Sequence, residues 1–452
     1  MDAFERRSVV ALATVYLFRM LGLFLIMPVI SLSAADLNGA SAALIGTAIG
    51  IYGLTQALLQ IPMGMLSDQV GRKRIIVLGL ILFAVGSIIC ANADDILSLI
   101  LGRAVQGAGA IASTLMALLS DVTREQNRTK AMATVGISIG VSFMLSLVLG
   151  PWLYSLIGLS GLFYVSLISS LIGISLVVWM VPNVKQHTFR RDTTPSLSAL
   201  RSVLQSGHLR SLNMSVLLLH ASLTALFVCI PSLLVNQFHF PLINHSWLYL
   251  FVMGLAFVGM VPLVIIAEAK GKMKQVMTSV MLLLSISIVF MGVVQSVWLF
   301  SVLLWAYFVA FNTLEATLPS VVSKLAPVGY RGTAMGVFST HQFFGAFLGG
   351  VGGGWLLQNT SIETLFASVG SMVFIWTLLS LRQPAPPQLT SLAFSLGGLS
   401  QREITKLSSR LMTIQGVEDM QLFEDEQTAY LKVNKKQLDR DSLLRVVPQV
   451  TL

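Results

Sequence analysis

Charge is what this sequence has least of. Only 11% of its 452 residues are Asp, Glu, Lys or Arg, 55% are hydrophobic, and the mean hydropathy is +0.80. A soluble domain with that balance would have too little polar surface, and one or two membrane spans would not use up so much apolar chain. Cysteine is nearly absent. Cys90 and Cys229 both lie inside apolar runs. They can build neither a disulfide framework nor a thiolate metal site and read as small core residues, so no metal or other cofactor is expected. No Gly-x-x-x-x-Gly-Lys-Ser/Thr run occurs, so the energy source is not ATP bound at such a loop. The alternating segments of about ten residues that build a membrane barrel are missing too. These absences leave an all-α polytopic membrane protein that is not an enzyme.

What the sequence has is apolar length. A helix needs about 20 apolar residues to cross the roughly 30 Å hydrocarbon layer. Twelve runs qualify, near residues 8–31, 42–67, 73–92, 96–120, 130–152, 158–181, 210–236, 246–268, 273–293, 297–321, 332–358 and 362–381. Of the 29 Lys and Arg, nineteen fall in alternate breaks between these runs and eight follow residue 388; only Arg19 and Arg103 lie within runs. Basic residues near span ends stay on the cytoplasmic side, so both termini are expected in the cytoplasm. The net charge of +9 then reflects membrane topology, not a nucleic-acid partner. "SLSAAD" at 31–36 resembles a signal-peptidase site, but the run before it exceeds 20 residues and carries Arg19 at its middle, which argues for a retained span.

The chain also repeats itself. "LFLIMP" (23–28) recurs as "LFVCIP" (226–231), "SDQVGRKR" (67–74) as "AEAKGKMK" (267–274), and "NRTKAMA" (127–133) as "YRGTAMG" (330–336). The offsets are 200 to 203 residues, so Glu268 answers Asp68 and Arg331 answers Arg128. Two halves of six spans are expected, residues 1–181 and 210–383, with a cytoplasmic linker at 182–209 and a soluble segment at 388–452. Two parallel six-span halves resemble the major facilitator superfamily. Gly64, Asp68, Gly71, Arg72 and Lys73 match that family's signature between its second and third helices. Gly64 and Gly71 suit a tight turn and close helix approach. Asp68 can face the N-terminus of a neighbouring helix, which by resemblance begins near Gly332. Arg72 can pair with Asp121, and together these contacts are expected to latch the halves at the cytoplasmic side; the alternative is a permanent loop staple.

Ionisable groups at bilayer depth are site candidates. Arg19 lies near the middle of the first run, and Arg103 precedes Gln106 in "LGRAVQGAGA", which resembles a second family signature associated with proton movement. Glu315 is the one carboxylate deep in a run; His220 and His341 sit near the middles of the seventh and eleventh. Guanidiniums stay charged and can tune a neighbour or hold an anion. A carboxylic acid with a histidine partner can load and release a proton. Each histidine has a plainer reading as a hydrogen-bonded core residue, and Glu315 as a structural hydrogen bond. In "SLVLGPW" only Gly150 and Pro151 match the family's antiporter signature, whose Gly-Pro kinks the helix.

After Pro387 charges return every few residues. "LAFSL", "VEDMQLF" and "TAYLKV" read as strands, "REITKLSSRLMTI" and "DRDSLLRVV" as helices, and "QVTL" as the stub of a last strand. That order resembles a ferredoxin-like module. It contains no cysteine, which excludes metal transfer by thiolates. The whole chain resembles the drug-efflux branch of the superfamily that carries such a tail. The resemblance implies export of amphipathic compounds in exchange for protons, driven by the proton gradient, across a bacterial inner membrane, with the tail as a regulator for an unknown ligand or partner. A sugar or metabolite carrier and a non-transporting sensor are the alternatives. The scarcity of embedded polar groups and the 24 Phe and 20 Met favour lipophilic substrates.

Overall fold

In the computed structural model, residues 1, 3–123, 125–181, 197–326, 330–383, 385, 389–397, 401–423, 428–434 and 437–447 are described. The first six runs become α1 (Ala3–Phe24), α2 (Ile30–Ser33), α3 (Ala42–Val70), α4 (Arg72–Ala91), α5 (Ile96–Ala108), α6 (Ala112–Asp121) and α7 (Glu125–Met180). After α8 (Leu197–Gln205), the second set gives α9 (Gly207–Asn236), α10 (Leu242–Glu268), α11 (Met273–Met291), α12 (Val297–Leu325), α13 (Arg331–Asn359) and α14 (Ile362–Leu381). Among the described residues, ten helical stretches are long and apolar enough to cross a membrane. The notional linker falls largely on 182–196, outside the described residues.

Two breaks depart from the continuous runs expected, and a third falls at the expected junction of the fifth and sixth runs, each for a local reason. The first run does not stay helical to residue 31. Pro28 has no N–H to give the Phe24 carbonyl four residues back, so α1 ends at Phe24 and the chain turns before α2. The fourth run divides at Gly109, where an added Cβ would lie 2.2 Å from the Gly79 oxygen, so α5 and α6 are offset around that contact. In α7 the backbone leaves helical geometry at Gly158 (φ 66°, ψ −172°), not at Gly150–Pro151. Glycine reaches positive φ without steric cost, so the chain reverses there. Gly150 instead packs against the turn after α1, with the Leu25 oxygen 2.4 Å from its would-be Cβ. At the loop before α5, Asp95 accepts hydrogen bonds from Leu97 N and Ser98 N at 2.9 Å, and the Ser98 hydroxyl and backbone hold its carboxyl below the usual range.

The halves meet most extensively in two places. α13 lies against α3 and α9, and α7 lies against α10. Under the repeat α3 answers α10, and the leading part of α7 answers α13, so the two contacts are related by the same offset. The α3–α13 contact is built on glycines. A Cβ on Gly46 would meet the Gly350 oxygen at 2.2 Å, one on Gly53 the Phe343 oxygen at 2.4 Å, and one on Gly354 the Ala42 oxygen at 2.5 Å. Ala43 N donates to Gln358 Oε1 at 3.0 Å beside them. Toward the other ends of these helices the contact stops: Gly64 faces only Ser113 of its own half, and Gly336 has nothing within 4 Å of a built Cβ.

The tail folds as β1 (Leu389–Ser395), α15 (Gln401–Met412), β2 (Val417–Phe423), β3 (Thr428–Asn434) and α16 (Arg440–Val446). The strands form one antiparallel sheet in the order β1-β3-β2, with Phe394, Ile404, Leu411, Leu431 and Leu443 in its core. The fourth strand suggested by "QVTL" lies outside the described residues. The Lys432 ammonium, 4% exposed, donates to the Ala326 carbonyl at the end of α12 and ties the tail to the second half.

Gly350→Leu is expected to lower the melting temperature of the detergent-solubilised protein by about 5 °C or more, since overpacking costs about 1–3 kcal/mol. Gly352→Leu, at a position with nothing within 4 Å, is expected to leave it unchanged; equal shifts would show that the glycine contact is not tight.

Candidate functional site

Polar groups gather in four places. At the end of α3 the Asp68 carboxylate, with 8% of its side chain accessible, pairs with the Arg72 guanidinium. Arg72 also reaches Asp121 Oδ2 through Nε at 3.3 Å and donates from Nη1 to Ser67 Oγ at 2.7 Å. These contacts join α3, α4 and α6 within the first half, so the Arg72–Asp121 pair is a staple inside one bundle and not a link between bundles. Gly71 (φ 110°) makes the turn. Lys73 donates to the Val178 and Val181 carbonyls at 2.9 and 2.8 Å, closing the end of α7. Arg331 opens α13, but its side chain lies outside the described residues.

The second half repeats this arrangement with altered chemistry. Lys274 donates to the Leu381 and Gln383 carbonyls at 2.9 and 2.6 Å, closing the end of α14 as Lys73 closes α7. The sequence offset of 200 sets Lys274 against Arg74, so the functional equivalence with Lys73 involves a slip of one residue. Glu268 pairs with the Lys324 ammonium and accepts from Ser320 Oγ at 2.7 Å. Lys324 stands 203 residues after Asp121. The acid near the end of α3 is therefore kept at the end of α10, whereas Asp121 at the end of α6 is replaced by a base near the end of α12.

Within the first bundle, Arg19 and Arg103 are 1% and 2% exposed. Arg19 Nη2 donates to Tyr52 Oη and Gln56 Oε1, each at 3.0 Å, and the guanidinium lies 5.4 Å from the Phe83 ring centre. Arg103 donates to Ala48 O at 3.3 Å and Gln106 Oε1 at 2.8 Å and lies 5.0 Å from the Tyr52 ring centre; Gln106 Nε2 passes the chain on to Ser87 Oγ at 2.8 Å. No ion pair to either guanidinium is found among the described residues. Neutral amides, a phenol and ring faces carry both charges. Tyr52 and Gln56 belong to this network but drew no attention in the sequence, because a lone Gln or Tyr in an apolar run carries no charge.

In the second bundle His220, Glu315 and Gln342 come together from α9, α12 and α13. Gln342 Nε2 donates to Glu315 Oε1 at 3.1 Å and lies 2.8 Å from His220 Nε2, which is 3.6 Å from Glu315 Oε2. An amide nitrogen only donates, so His220 Nε2 accepts, and the ring proton sits on Nδ1, donating to the Val216 carbonyl at 3.2 Å. Glu315 is less enclosed than expected, with 38% of its side chain accessible. His341 stands apart and donates from Nδ1 to Val337 O at 2.8 Å, one turn back on its own helix. Gln342, one residue along, takes the place expected for a second histidine.

Beside this cluster Phe24 and Phe143 of the first half meet Phe308 and Phe311 of the second. Ring centres are 4.9 Å apart for Phe24–Phe143 and 6.2 Å for Phe143 with either Phe308 or Phe311, and Phe311 lies 5.7 Å from His220. Glu315 is one turn beyond Phe311 along α12, toward the splayed ends of α3 and α13. The aromatic layer therefore separates the glycine contact from the side on which Glu315 is accessible.

A profile described as Major Facilitator Superfamily matches residues 12–350 and 271–414. The inner membrane transport protein YajR of Escherichia coli (strain K12) is 42% identical over 447 residues, 98% of each chain. The multidrug resistance protein MdtH of Aeromonas salmonicida (strain A449) is 26% identical over 338 residues, 74% of this chain and 84% of that one. Among solved structures, a bacterial homologue of the human lysosomal transporter Spinster, inward-facing and unoccupied, matches with a TM-score of 0.63 at 15% identity, covering 84% of this chain and 95% of its own. At that identity the likeness is one of fold.

Reversing the second-half pair is a direct test of its contact. Glu268→Lys and Lys324→Glu are each expected to lower thermal stability and the double exchange to restore it. Because both side chains are partly exposed, the coupling in a double-mutant cycle is expected at about 1 kcal/mol or less; no coupling would mean the pair is not formed.

Proposed function

The chain belongs to the major facilitator superfamily, and on that premise we propose that it exports amphipathic, drug-like small molecules in exchange for protons by alternating access. Its relatives are transporters, and the YajR protein it resembles over its whole length is an inner membrane protein. Export of drug-like compounds draws support from the similarity to MdtH. The aromatic layer of Phe24, Phe143, Phe308 and Phe311 supports an amphipathic substrate, since apolar ring faces suit a lipophilic body better than a sugar.

The topology proposed is of twelve crossings. Ten long apolar stretches are present, α7 crosses twice about Gly158, and the glycine-rich α13 crosses beside α3. The halves are residues 1–181 and 210–383, joined by the linker 182–209, with both termini cytoplasmic. The tail at 388–452 is read as a ferredoxin-like module on the cytoplasmic face, held through Lys432, that regulates transport in response to a ligand or partner. In this orientation the glycine contact closes the outer side, and the splayed ends open inward. The Asp68 signature is then proposed to hold the inner side shut in the opposite state.

The observation that carries proton coupling is the triad of Gln342, His220 and Glu315. With Glu315 ionised and His220 neutral, the amide NH₂ donates to both. A proton arriving on His220 Nε2 removes that acceptor and favours direct pairing with Glu315. A second proton on Glu315 is accommodated by turning the amide over, so that its oxygen accepts from both. The cluster thus has a hydrogen-bonded arrangement for each loading state, reached by small rotations. Glu315 connects it to the inward opening, and the aromatic layer keeps it from the outer side. Arg19 and Arg103 remain charged throughout and are proposed to set the potential of the pathway.

In proteoliposomes with an imposed pH gradient, Glu315→Gln is expected to abolish gradient-driven accumulation of an amphipathic dye such as ethidium, while dye-for-dye exchange without a gradient persists. Gradient-driven transport equal to that of the unaltered protein would remove Glu315 from coupling.

A further inference from the structure

Two clefts open on the rim where the basic residues gather. One, of about 260 Å³, lies between the first turn of α1 and the end of α7 and is lined by Phe4, Arg7, Ser8, Trp179 and Met180. The other, of about 60 Å³, lies between the first turns of α9 and α11 and the end of α14, with His208, Ser211, Lys274, Thr278 and Ser380 among its polar lining. These are the same place in the two halves. Arg7–Ser8 recurs as Arg210–Ser211 at an offset of 203, and each cleft adjoins the lysine that closes the last helix of its half.

Their chemistry is one-sided. Among the described residues neither lining contains an acidic side chain, and the nearby Glu5 accepts from Asn127 Nδ2 at 2.8 Å. Ser8 is 1% exposed, and its hydroxyl lines the first cleft without a hydrogen-bond partner among the described residues. A buried hydroxyl in that condition calls for an acceptor. The walls are apolar and open outward: Trp179 is 77% and Phe4 54% exposed. Trp at such a rim marks the level of the lipid headgroups.

We infer that each cleft binds the headgroup of an anionic phospholipid of the cytoplasmic leaflet. In the first, the phosphate accepts from Ser8 Oγ and the Arg7 guanidinium while the acyl chains lie along Phe4, Trp179 and Met180. In the second, His208, Ser211 and Thr278 surround the phosphate, and Lys274, held by two carbonyls, adds a fixed positive charge. A free phosphate ion has no use for the apolar walls, which is why the lipid is the occupant. Such a lipid bridges the first and last spans of each half, at the rim where basic residues attract the anionic leaflet. The inference rests on the cytoplasmic placement of this rim.

The test is native mass spectrometry of the detergent-purified full chain after exposure to phosphatidylglycerol, to phosphatidylcholine or to inorganic phosphate. The unaltered protein is expected to retain two phosphatidylglycerol molecules and neither comparator. Arg7→Gln is expected to retain one, Arg7→Gln with His208→Gln none, and Arg7→Lys two, the last showing that loss follows the charge and not misfolding. Equal retention of phosphatidylcholine, retention of inorganic phosphate in its place, or two lipids on the double variant would overturn the inference. The count is read without flux, so its failure would leave the carrier reading standing.

Discussion

The contact on which the rest of the structure depends is backbone against backbone between α3 and α13. In lipid there is no hydrophobic force pressing two helices together, so they associate through close packing, and small residues decide where that happens. Gly46, Gly53, Gly350 and Gly354 remove the side chains that would hold the axes apart. Because they sit at the beginning of α3 and the end of α13, the halves are fastened at one end and free to diverge at the other. The aromatic layer and the part-exposed Glu315 lie in sequence along that divergence. On the proposed reading, the pathway therefore runs from a glycine-sealed end toward the end where Glu315 is accessible.

A second constraint is the satisfaction of helix ends. The last carbonyls of α7 and α14 have no partners within their own helices. A lysine in the first turn of the neighbouring helix, α4 or α11, supplies them in both halves, at Lys73 and Lys274. The ion pairs nearby follow a looser rule. Asp68 and Asp121, both paired with Arg72 in one half, are answered by Glu268 and Lys324, paired with each other in the other, so the repeat keeps the acid that ends α3 and α10 and changes its partner. A solvent-edge pair needs only opposite signs within reach, whereas a helix terminus needs a donor.

The architecture was largely legible because its signals are physical and periodic. Apolar length gave the helices, and the offset of 200 to 203 the paired contacts of α3 with α13 and α10 with α7. The Asp68–Arg72 neighbourhood was legible as a motif, as was the proximity of Arg72 to Asp121. What escaped depends on three-dimensional approach. Gly158 is one glycine among 36, and nothing local distinguishes it from the many that keep negative φ. Gln342 was overlooked beside His341 because residues adjacent on a helix point about 100° apart, and the sequence alone does not say which faces His220. Tyr52 and Gln56 became visible only as partners of a buried charge that the sequence had already singled out.

The two halves treat charge in the membrane differently, and the difference has a consequence for alternating access. The first half holds two guanidiniums whose charge does not vary, supported by amides and aromatic rings without an ion pair among the described residues. The second holds a carboxylate and a histidine, side chains proposed to carry the transported protons. On the proposed reading, an ionised Glu315 is attracted across the pathway toward the fixed positive half, and a protonated one is not. Charges in a low-dielectric interior act over long distances, so the proton need not reach the Asp68 neighbourhood to change which end of the molecule is favoured. A fixed charge on one wall and a titratable one on the other suffices to convert proton loading into a force between rigid halves hinged at the glycine contact.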